Sequence, residues 1–587
     1  MQPDQKNIWL AMAIIVLMFV GWQFFYELPR IQQEQEALER QQQLAAEQGG
    51  DPTLPELSGV EGLEDAQAEA NFPDVQLTRG EALALSERIT IDTPSLHGSI
   101  ALTGGRIDDL TLVKYHERVD PDSPEVVLLS PANGPSPYFV EFGWLAEESG
   151  VVVPDNSSVW QASGSTLTPD TPVTMTWDNG QGLTFERTLS VDDQYMFTVN
   201  QSVTNSGGAA VTLFPYGLIN RHNTPEILGF YILHEGLIGV LNETLEEVDY
   251  DDLNDLEEPN PITYDSTNGW LGITDKYWQT ALIPDQGDSF KGRFLHNLRN
   301  GTIDTYQADY LRSAVTVDPG ATASTEDLLF AGAKVVTELD AYAEQYDIPL
   351  FDRSVDFGWF YFMTKPIFFV LLWLKGLIGN FGLAILALTV IIKLLFFPLA
   401  NKSYKAMSKM RKLAPEMKEM RERYKDDKPK MQQELMAMYK KEKVNPASGC
   451  LPILVQIPVF FALYKVLFVT IEMRHAPFYG WIEDLSAPDP TVIWNLFGLL
   501  PFDPSQFLPA FLLIGAWPLL MSCTMWLQQK ISPQPPDPMQ AKIFLFMPLI
   551  FLFIFATFPA GLVIYWTWNN LLSVGQQYFI MRKEGVT

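Results

Sequence analysis

A single lysine, Lys393, interrupts the apolar run at residues 381–399, and a strongly basic segment at 401–445 follows it directly. A charged side chain at the centre of a bilayer costs about 2.5–3.5 kcal/mol on insertion scales, so it faces water, a partner or a passing molecule. The basic segment carries 14 Lys and Arg against 7 Asp and Glu, which is typical of a segment retained in the cytoplasm. These features predict a membrane-spanning helix followed by a cytoplasmic helical hairpin at 401–446.

Further apolar stretches predict a polytopic α-helical membrane protein. The 42 residues at 358–399 are too long for one span, because they would form a helix of about 63 Å against a hydrocarbon core of about 30 Å. If both halves crossed, the basic hairpin would lie on the same side as a large acidic region, so residues 357–379 are predicted to form an interfacial amphipathic helix. The six predicted spans are residues 1–28, 380–400, 449–472, 506–530, 542–558 and 561–580.

The charges of the loops predict the orientation of these spans. Residues 472–505 contain one Arg and five acidic residues, so the loop at 473–505 is predicted to lie outside the cytoplasm. The loop at 531–541 and the basic tail at 581–587 are predicted to lie inside. Both termini are therefore expected in the cytoplasm.

The acidic region is a second, different part of the chain. Residues 27–356 hold 16 basic and 56 acidic residues and no cysteine. Before it, the apolar stretch at 8–26 ends in aromatic residues where a cleaved signal peptide would carry small ones, so an uncleaved anchor is favoured over a signal peptide. Residues 29–75 are rich in Gln, Glu, Pro and Gly and predict a flexible linker.

Residues 76–340 are predicted to form an all-β sandwich. Val173, Met175 and Trp177 alternate with threonines, so one face of this segment is apolar and the other polar. An Asn-Gly pair follows, and apolar residues then resume the alternation at Leu183 and Phe185. Asn-Gly supplies the positive φ angles of a tight turn, which predicts a β-hairpin. Several similar runs with turns between them indicate a β-sandwich.

No motif for covalent chemistry is present in the sequence. The six histidines have no metal-ligand spacing, and there is no P-loop, nucleophile elbow or HExxH motif. No catalytic residue, metal or cofactor is therefore predicted, and the chain is not expected to be an enzyme. A sugar-active β domain would require a placed pair of carboxylates. An ion-coupled transporter is the main alternative, because intramembrane charges mark ion pathways, but it usually carries an acidic partner or a repeated half.

The basic hairpin carries a stripe of methionines at helical spacing, including Met417 and Met420. Two interpretations stay open: these side chains hold the two helices together, or they form an adaptable surface for apolar partners. The basic residues likewise form either a solvated face or a contact for lipid headgroups or ribosomal RNA. The predicted recruiting residues of the hairpin are Lys409, Arg411, Lys412, Met417, Lys418 and Met420.

Four stretches in the C-terminal third resemble one family closely. They are YKAMSKMRKLAPEMKEMRERYKDDKPKMQQELMAMYKKEKVNPASGC, LPILVQIPVFFALYKVL, DPMQAKIFLFMPLIF and FPAGLVIYW. Over about residues 355–580 the chain is similar to the YidC/Oxa/Alb family of membrane-protein insertases. The anchor followed by a large external β domain resembles the arrangement of the Gram-negative members.

The resemblance implies a multi-pass protein of the bacterial inner membrane with a periplasmic β-sandwich and a hydrophilic groove among its spans. It implies an insertase and folding chaperone that moves nascent membrane proteins from the cytoplasm into the membrane, alone or with the Sec translocon. The implied partners are nascent membrane proteins, Sec translocon subunits, the ribosome through the basic hairpin, and membrane lipids, but not DNA.

The groove residues come from this resemblance and from polar residues inside the predicted spans. Lys393 stands where the family usually has an arginine, and Trp566 stands where a relative has a substrate-contacting tyrosine. The predicted groove residues are Lys393, Thr389, Gln456, Trp566, Tyr565 and Asn569, and the predicted apolar substrate contacts are Phe460 and Met521. The expected mechanism is insertion without covalent chemistry, driven by burial of the substrate's own apolar surface.

Overall fold

The structure is a computed structural model. It describes residues 77–585 except 121, 228–232, 256–260, 300–301, 425–426, 443–450 and 533–537. The predicted anchor at 1–28 and the predicted linker at 29–75 lie outside the described residues.

The acidic region folds into two large β-sheets packed around a common core. Its strands are β1 Arg88–Asp92, β2 Leu96–Ala101, β3 Ile107–His116, β4 Glu125–Leu129, β5 Tyr138–Ala146, β6 Gln161–Ala162, β7 Thr166–Leu167, β8 Val173–Asp178, β9 Leu183–Val191, β10 Met196–Asn205, β11 Val211–His222, β12 Gly236–Leu241, β13 Thr244–Asp249, β14 Ile262–Ser266, β15 Gly269–Thr274, β16 Trp278–Ile283, β17 Phe290–Arg299, β18 Ile303–Arg312, β19 Val315–Val317 and β20 Thr322–Ala333. One sheet has eleven strands in the order β14-β17-β18-β11-β5-β3-β2-β1-β7, with β19 paired to β11 and β4 to β3. The other has nine, in the order β13-β12-β15-β16-β20-β10-β9-β8-β6. The predicted all-β sandwich is confirmed.

The predicted Asn-Gly hairpin joins β8 to β9. Trp177 pairs with Phe185 in antiparallel register. Gly180 has a φ of 68°, and its amide donates to Asp178 Oδ1 at 2.7 Å. A side chain at this φ is strained, which explains why the turn carries glycine. Val173 and Met175 are buried on one face, as their alternation predicts.

Helices follow the β domain and form the C-terminal region. The helices in chain order are α1 Arg79–Leu83, α2 Tyr250–Asn254, α3 Val336–Gln345, α4 Tyr361–Ile378, α5 Phe381–Leu395, α6 Phe397–Arg423, α7 Lys428–Lys441, α8 Leu451–Val469, α9 Ala516–Ile531, α10 Pro538–Ile554 and α11 Ala560–Lys583. Short 3-10 turns lie at Ile493–Asn495, Pro504–Gln506 and Ala510–Leu512 before α9, and at Phe555–Thr557 after α10.

The two largest differences from the predicted helix boundaries are at the end of α5 and at the start of α9. The helix that carries Lys393 ends at Leu395 rather than at 400, and the chain bends by 68° into α6. Pro398 lies in the first turn of α6, where its fixed φ and missing N–H favour a new helix start. α9 begins at Ala516 rather than at 506, because Pro504 and Pro509 break the preceding segment into short turns.

The predicted count of six spans is not confirmed. Among the described residues, α4 is the helix that is both long and apolar enough to cross a membrane, and the bent pair of α5 and the first part of α6 makes a second if it is one span. α8 and α10 contain shorter apolar segments, at Gln456–Val469 and Lys542–Thr557. The early end of α5 and the late start of α9 shorten the helices below the lengths expected from the apolar runs alone.

The β domain contacts the helical region at the Val469 end of α8. Arg474 Nη2 donates to the carbonyl oxygen of His116 at 2.6 Å. Glu472 Oε1 accepts the amide of Val336, the first residue of α3, at 3.1 Å. These contacts fix which end of α8 faces the β domain.

Candidate functional site

Four helices, α8, α9, α10 and α11, line a partly open cavity of about 580 Å³. We call it the helix cavity. Most of its lining is apolar or aromatic, and a few amide side chains line it from α8, α9 and α11. The lining residues that matter below are Gln456, Phe460, Phe461, Met525, Trp526, Lys530, Phe551, Tyr565, Trp566 and Asn569.

The polar part of the helix cavity is an amide cluster between α8 and α11. Gln456 Nε2 donates to Asn569 Oδ1 and, at 3.2 Å, to the hydroxyl oxygen of Tyr565. Tyr565 and Asn569 are four residues apart and so lie on one face of α11. Because an unpaired amide in an apolar interior costs free energy, this pairing explains how the side chains are tolerated among apolar helices.

The aromatic part of the helix cavity lies one helical turn away. Phe460, four residues after Gln456, meets Trp566 edge to face with ring centroids 4.7 Å apart. Phe551 and Phe555 approach the same indole at 6.0 Å and 5.1 Å. α8 and α11 therefore present amide and aromatic groups next to each other in one cavity.

Lys393 lies outside the lining of the helix cavity but is linked to its amide cluster. Its Nζ donates to Ser573 Oγ at 2.6 Å, and Ser573 Oγ donates to the carbonyl oxygen of Asn569 at 2.7 Å. Asn569 and Ser573 form a polar stripe along α11, since they too are four residues apart. Within the described part of the chain, no carboxylate lies within ion-pairing distance of Lys393.

Two of the predicted contact residues are packed inside the helical region. Thr389 is 1% exposed, and its hydroxyl donates to the carbonyl oxygen of Ile385 at 2.7 Å. This bond to the preceding helical turn is the usual way for a threonine to satisfy its hydroxyl in an apolar helix. Met521 is fully buried, and Met525, one turn further along α9, faces the helix cavity instead. The structure brings together Gln456, Phe460, Tyr565, Trp566 and Asn569 but not these two.

Met521 was the residue predicted to contact substrate from α9, and the side chains of α9 that line the helix cavity were not predicted. Trp526 and Lys530 both line it, and Lys530 Nζ lies 4.2 Å from the centroid of the Trp526 ring. Their spacing of four residues near the basic end of a helix is a signal that sequence reasoning could have used. Lys530 places a positive charge at the edge of an otherwise apolar and amide-lined cavity.

The methionine stripe of the hairpin packs between α6 and α7. Met417 is buried with Leu413, Leu435 and Met438, and the Tyr439 hydroxyl donates to its sulfur at 3.7 Å. Met420 packs at the edge of this cluster. The structure thus favours the interpretation that the methionines hold the hairpin together.

The predicted basic residues of the hairpin have different environments. Lys409 is exposed. Arg411 Nη1 donates to the carbonyl oxygen of Ile531, and Lys412 Nζ donates to that of Glu584, at 3.2 and 2.7 Å. The side chain of Lys418 lies outside the described part of the structure. Arg411 and Lys412 therefore attach the base of the hairpin to the ends of α9 and α11.

Known protein families and relatives match almost the whole chain. Residues 88–370 match the family described as YidC periplasmic domain, and residues 373–585 match the family described as 60Kd inner membrane protein. The proteins named membrane protein insertase YidC of Nitrobacter hamburgensis and Methylobacterium nodulans are each 51% identical over 100% of this chain and 96% of their own. That of Beijerinckia indica is 50% identical over 100% of this chain and 97% of its own.

A solved structure described as an active YidC insertase with its first transmembrane domain resolved aligns at 19% identity and a TM-score of 0.36, covering 84% of this chain and 93% of that one. The assignment depends on the sequence matches, which span both the β domain and the helical region at about half identity. The chain belongs to the YidC family of membrane protein insertases.

Proposed function

We propose that this chain inserts membrane proteins into the inner membrane and that the helix cavity receives the segment in transit. The observation that supports this most directly is that the amide pair of Gln456 and Asn569 and the aromatic pair of Phe460 and Trp566 line the same cavity. An arriving membrane segment has the same two parts, because polar residues flank its apolar stretch. No covalent step is needed, in keeping with a family of insertases rather than enzymes.

The amide cluster lowers the cost of bringing polar groups into an apolar region. An unpaired peptide or amide group in hydrocarbon costs several kcal/mol. Gln456 Nε2 already donates to Tyr565 and Asn569, and these polar groups can exchange partners with a passing polar flank. The free energy for the overall transfer comes from burial of the substrate's apolar surface in lipid, about 25 cal/mol per Å².

Lys393 is proposed to act on acidic flanks through its positive charge. Its Nζ reaches Ser573 on the polar stripe of α11, next to the amide cluster. Arginine keeps the charge, so Lys393→Arg is expected to retain insertion of substrates with acidic tails, whereas Lys393→Ala is expected to impair it. Normal insertion by a stably assembled Lys393→Ala protein would contradict this role.

The remaining partners and the topology are also proposals. The exposed basic surface of the hairpin around Lys409 would meet lipid headgroups or the ribosome with its nascent chain, in a salt-dependent way. Association with the Sec translocon and a cytoplasmic position of both termini follow from the family resemblance and from loop charge. The comparisons offer no support for the alternative of an ion-coupled transporter, since the similar proteins are named insertases.

Site-specific photocrosslinking tests the proposed route. A photoreactive amino acid in place of Phe461 or Trp526 would point into the helix cavity, because both side chains line it and are partly exposed. Phe369 and Trp373 on α4 are matched controls, since they are exposed aromatics outside the lining. Ribosome-stalled chains of a membrane protein are expected to crosslink strongly to the first pair and weakly to the second. Equal crosslinking from both pairs would refute the route.

A variant that removes a polar side chain from the helix cavity tests the proposed route independently of crosslinking. Gln456→Leu removes the side chain that joins α8 to both Tyr565 and Asn569, yet keeps a similar volume. It is expected to slow insertion of segments with polar flanks more than insertion of uniformly apolar segments, in reconstituted vesicles. A uniform loss for both kinds of substrate would indicate a structural role only.

A further inference from the structure

The segment at 492–513 exposes an unusual amount of apolar surface for a loop. It connects to the start of α9 through short 3-10 turns instead of a regular helix. Leu499 is 83% exposed and Phe507 is 65% exposed. Other large apolar side chains on the same segment that are about half exposed are Trp494, Leu496, Phe497 and Phe511. Between residues 490 and 515, Asp503 is the single charged residue.

This segment leads into the start of α9, which is held by Asp489 of the same loop whose Arg474 donates to the β domain at His116. The opposite end of α9 is the basic one, because Ile531 accepts a hydrogen bond from Arg411 of the hairpin. α9 has 16 residues and so measures about 24 Å, less than a hydrocarbon core of about 30 Å. A crossing at α9 would therefore need further apolar surface, which the turns that precede the helix carry.

Much of the backbone of this segment is hydrogen-bonded within the segment, which lowers the cost of placing irregular backbone at the membrane interface. The amide of Phe497 donates to Val492 at 2.8 Å, and the amide of Leu500 donates to Asn495 at 3.0 Å. The Trp494 indole N–H donates to the carbonyl oxygen of Leu512 at 2.7 Å. These bonds hold the turns together without help from water.

A fixed inner face keeps the apolar side chains pointing outward. Ile514 is buried against Leu552 and Ala556 at the end of α10, and Ile493 packs at the edge of this cluster. The amide of Ile493 also donates to the carbonyl oxygen of Ile514 at 2.9 Å, which closes the base of the segment. The exposed side chains are therefore presented on an ordered element.

We propose that residues 492–513 are a lipid anchor that lies at the boundary between headgroups and acyl chains in the leaflet next to the β domain, with acyl chains as the occupant of its exposed side chains. Near absence of charge, abundant Trp and Phe, and internal hydrogen bonds all fit the membrane interface. A protein partner would instead be expected to meet a polar rim around an apolar centre. The proposal rests on the membrane location of the family and is independent of the substrate route through the helix cavity.

Spin-label depth measurements test the anchor. Cys450 and Cys523, which are the cysteines of the chain, are first replaced by serine. A nitroxide is then attached in full-length protein in lipid vesicles through Leu499→Cys or, separately, Phe507→Cys. Leu549→Cys on the exposed side of α10 is the lipid control, and Glu483→Cys in the acidic loop is the water control. Because all four side chains are exposed, the labels leave the packing intact.

The expected result is a several-fold higher ratio of collisions with oxygen to collisions with a water-soluble nickel complex at 499 and 507 than at 483, close to the ratio at 549. Nickel accessibility equal to that at 483 would overturn the proposal. Low accessibility to both reagents, or spin–spin broadening that persists on dilution with lipid, would show a protein-covered surface and would equally overturn it. A failure of the crosslinking test above would leave these values unchanged, so the two proposals are distinguishable.

Discussion

The contact between the β domain and the helical region depends on a buried ion pair, and Lys465→Met is predicted to weaken it strongly. Lys465 Nζ lies 2.8 Å from Asp356 Oδ2 and donates to the Asp356 carbonyl oxygen at 3.2 Å. The two side chains are 13% and 22% exposed. Lys465 also fills the space beside Gly358, where a Cβ would lie 2.7 Å from its Cε. The Lys465 side chain is therefore packed between Asp356 and Gly358 and is mostly shielded from solvent.

The size of the effect follows from what remains after the substitution. Removal of one partner of a buried ion pair costs about 3–5 kcal/mol, because the other charge stays buried. Asp356 would still accept the amides of Gly358 at 3.0 Å and His234 at 3.4 Å. We therefore expect a loss at the lower end, about 3 kcal/mol in the free energy of unfolding. Adding Asp356→Asn should recover part of it, with a coupling energy of about 2 kcal/mol.

Denaturant titration in detergent micelles, followed by tryptophan fluorescence, measures these free energies. Lys375→Met is the matched control, since Lys375 is an exposed lysine on another apolar helix, α4. It is expected to change the free energy of unfolding by no more than about 0.5 kcal/mol. If Lys465→Met behaves like this control, or if the double-variant cycle shows no coupling, the ion pair does not stabilise the contact and the reasoning is wrong.

Three further predictions concern the loops and the hairpin. Asp489→Ala should destabilise the start of α9 by about 1–3 kcal/mol, because the buried carboxylate accepts the Trp517 amide and the Trp481 indole N–H at 2.8 and 3.0 Å. The loss should appear as a lower midpoint of thermal unfolding, and an unchanged midpoint would contradict the prediction. Burial raises the pKa of Glu472 to about 7, so the folded state binds an extra proton between about pH 4.5 and 7. The free energy of unfolding therefore falls as pH rises through that range. Glu472→Gln should flatten this dependence, measured as unfolding midpoints at pH 5 and 8. Met417→Lys places a charge in the hairpin core and should speed hydrogen exchange in α6 and α7 while α8 keeps its protection. Equal exchange in the original protein and in this variant would argue against the packing role of Met417.

The β domain could be predicted well because its signals are local. Alternation of Val173 and Met175 with threonines, and the Asn-Gly turn after them, depend on neighbours in sequence, and the structure reproduces them as β8 and β9. The order of strands in the two sheets could not be predicted. β11 pairs with β5 and β18, which are far apart in the chain, and no periodicity encodes such a choice.

The helix cavity was predicted in part. Gln456 and Asn569 were identified as polar residues inside apolar runs, and the structure pairs them. Thr389 was assigned to the groove with them, but the structure turns its face of α5 into the helical packing. Lys530 was missed because it lies at a helix end, where a lysine is ordinary.

The amino-acid sequence by itself determined that this chain has two regions, an acidic all-β region and an apolar helical region with a basic hairpin. These follow from composition and short-range periodicity, which act on each segment alone. Tertiary structure alone decided which side chains share the helix cavity and how Lys465 meets Asp356. The physical reason is that a helix apolar on all sides has no amphipathic face to orient it, and lipid is as apolar as a neighbouring helix. Its rotation is then set by packing and by the few polar groups that must find partners.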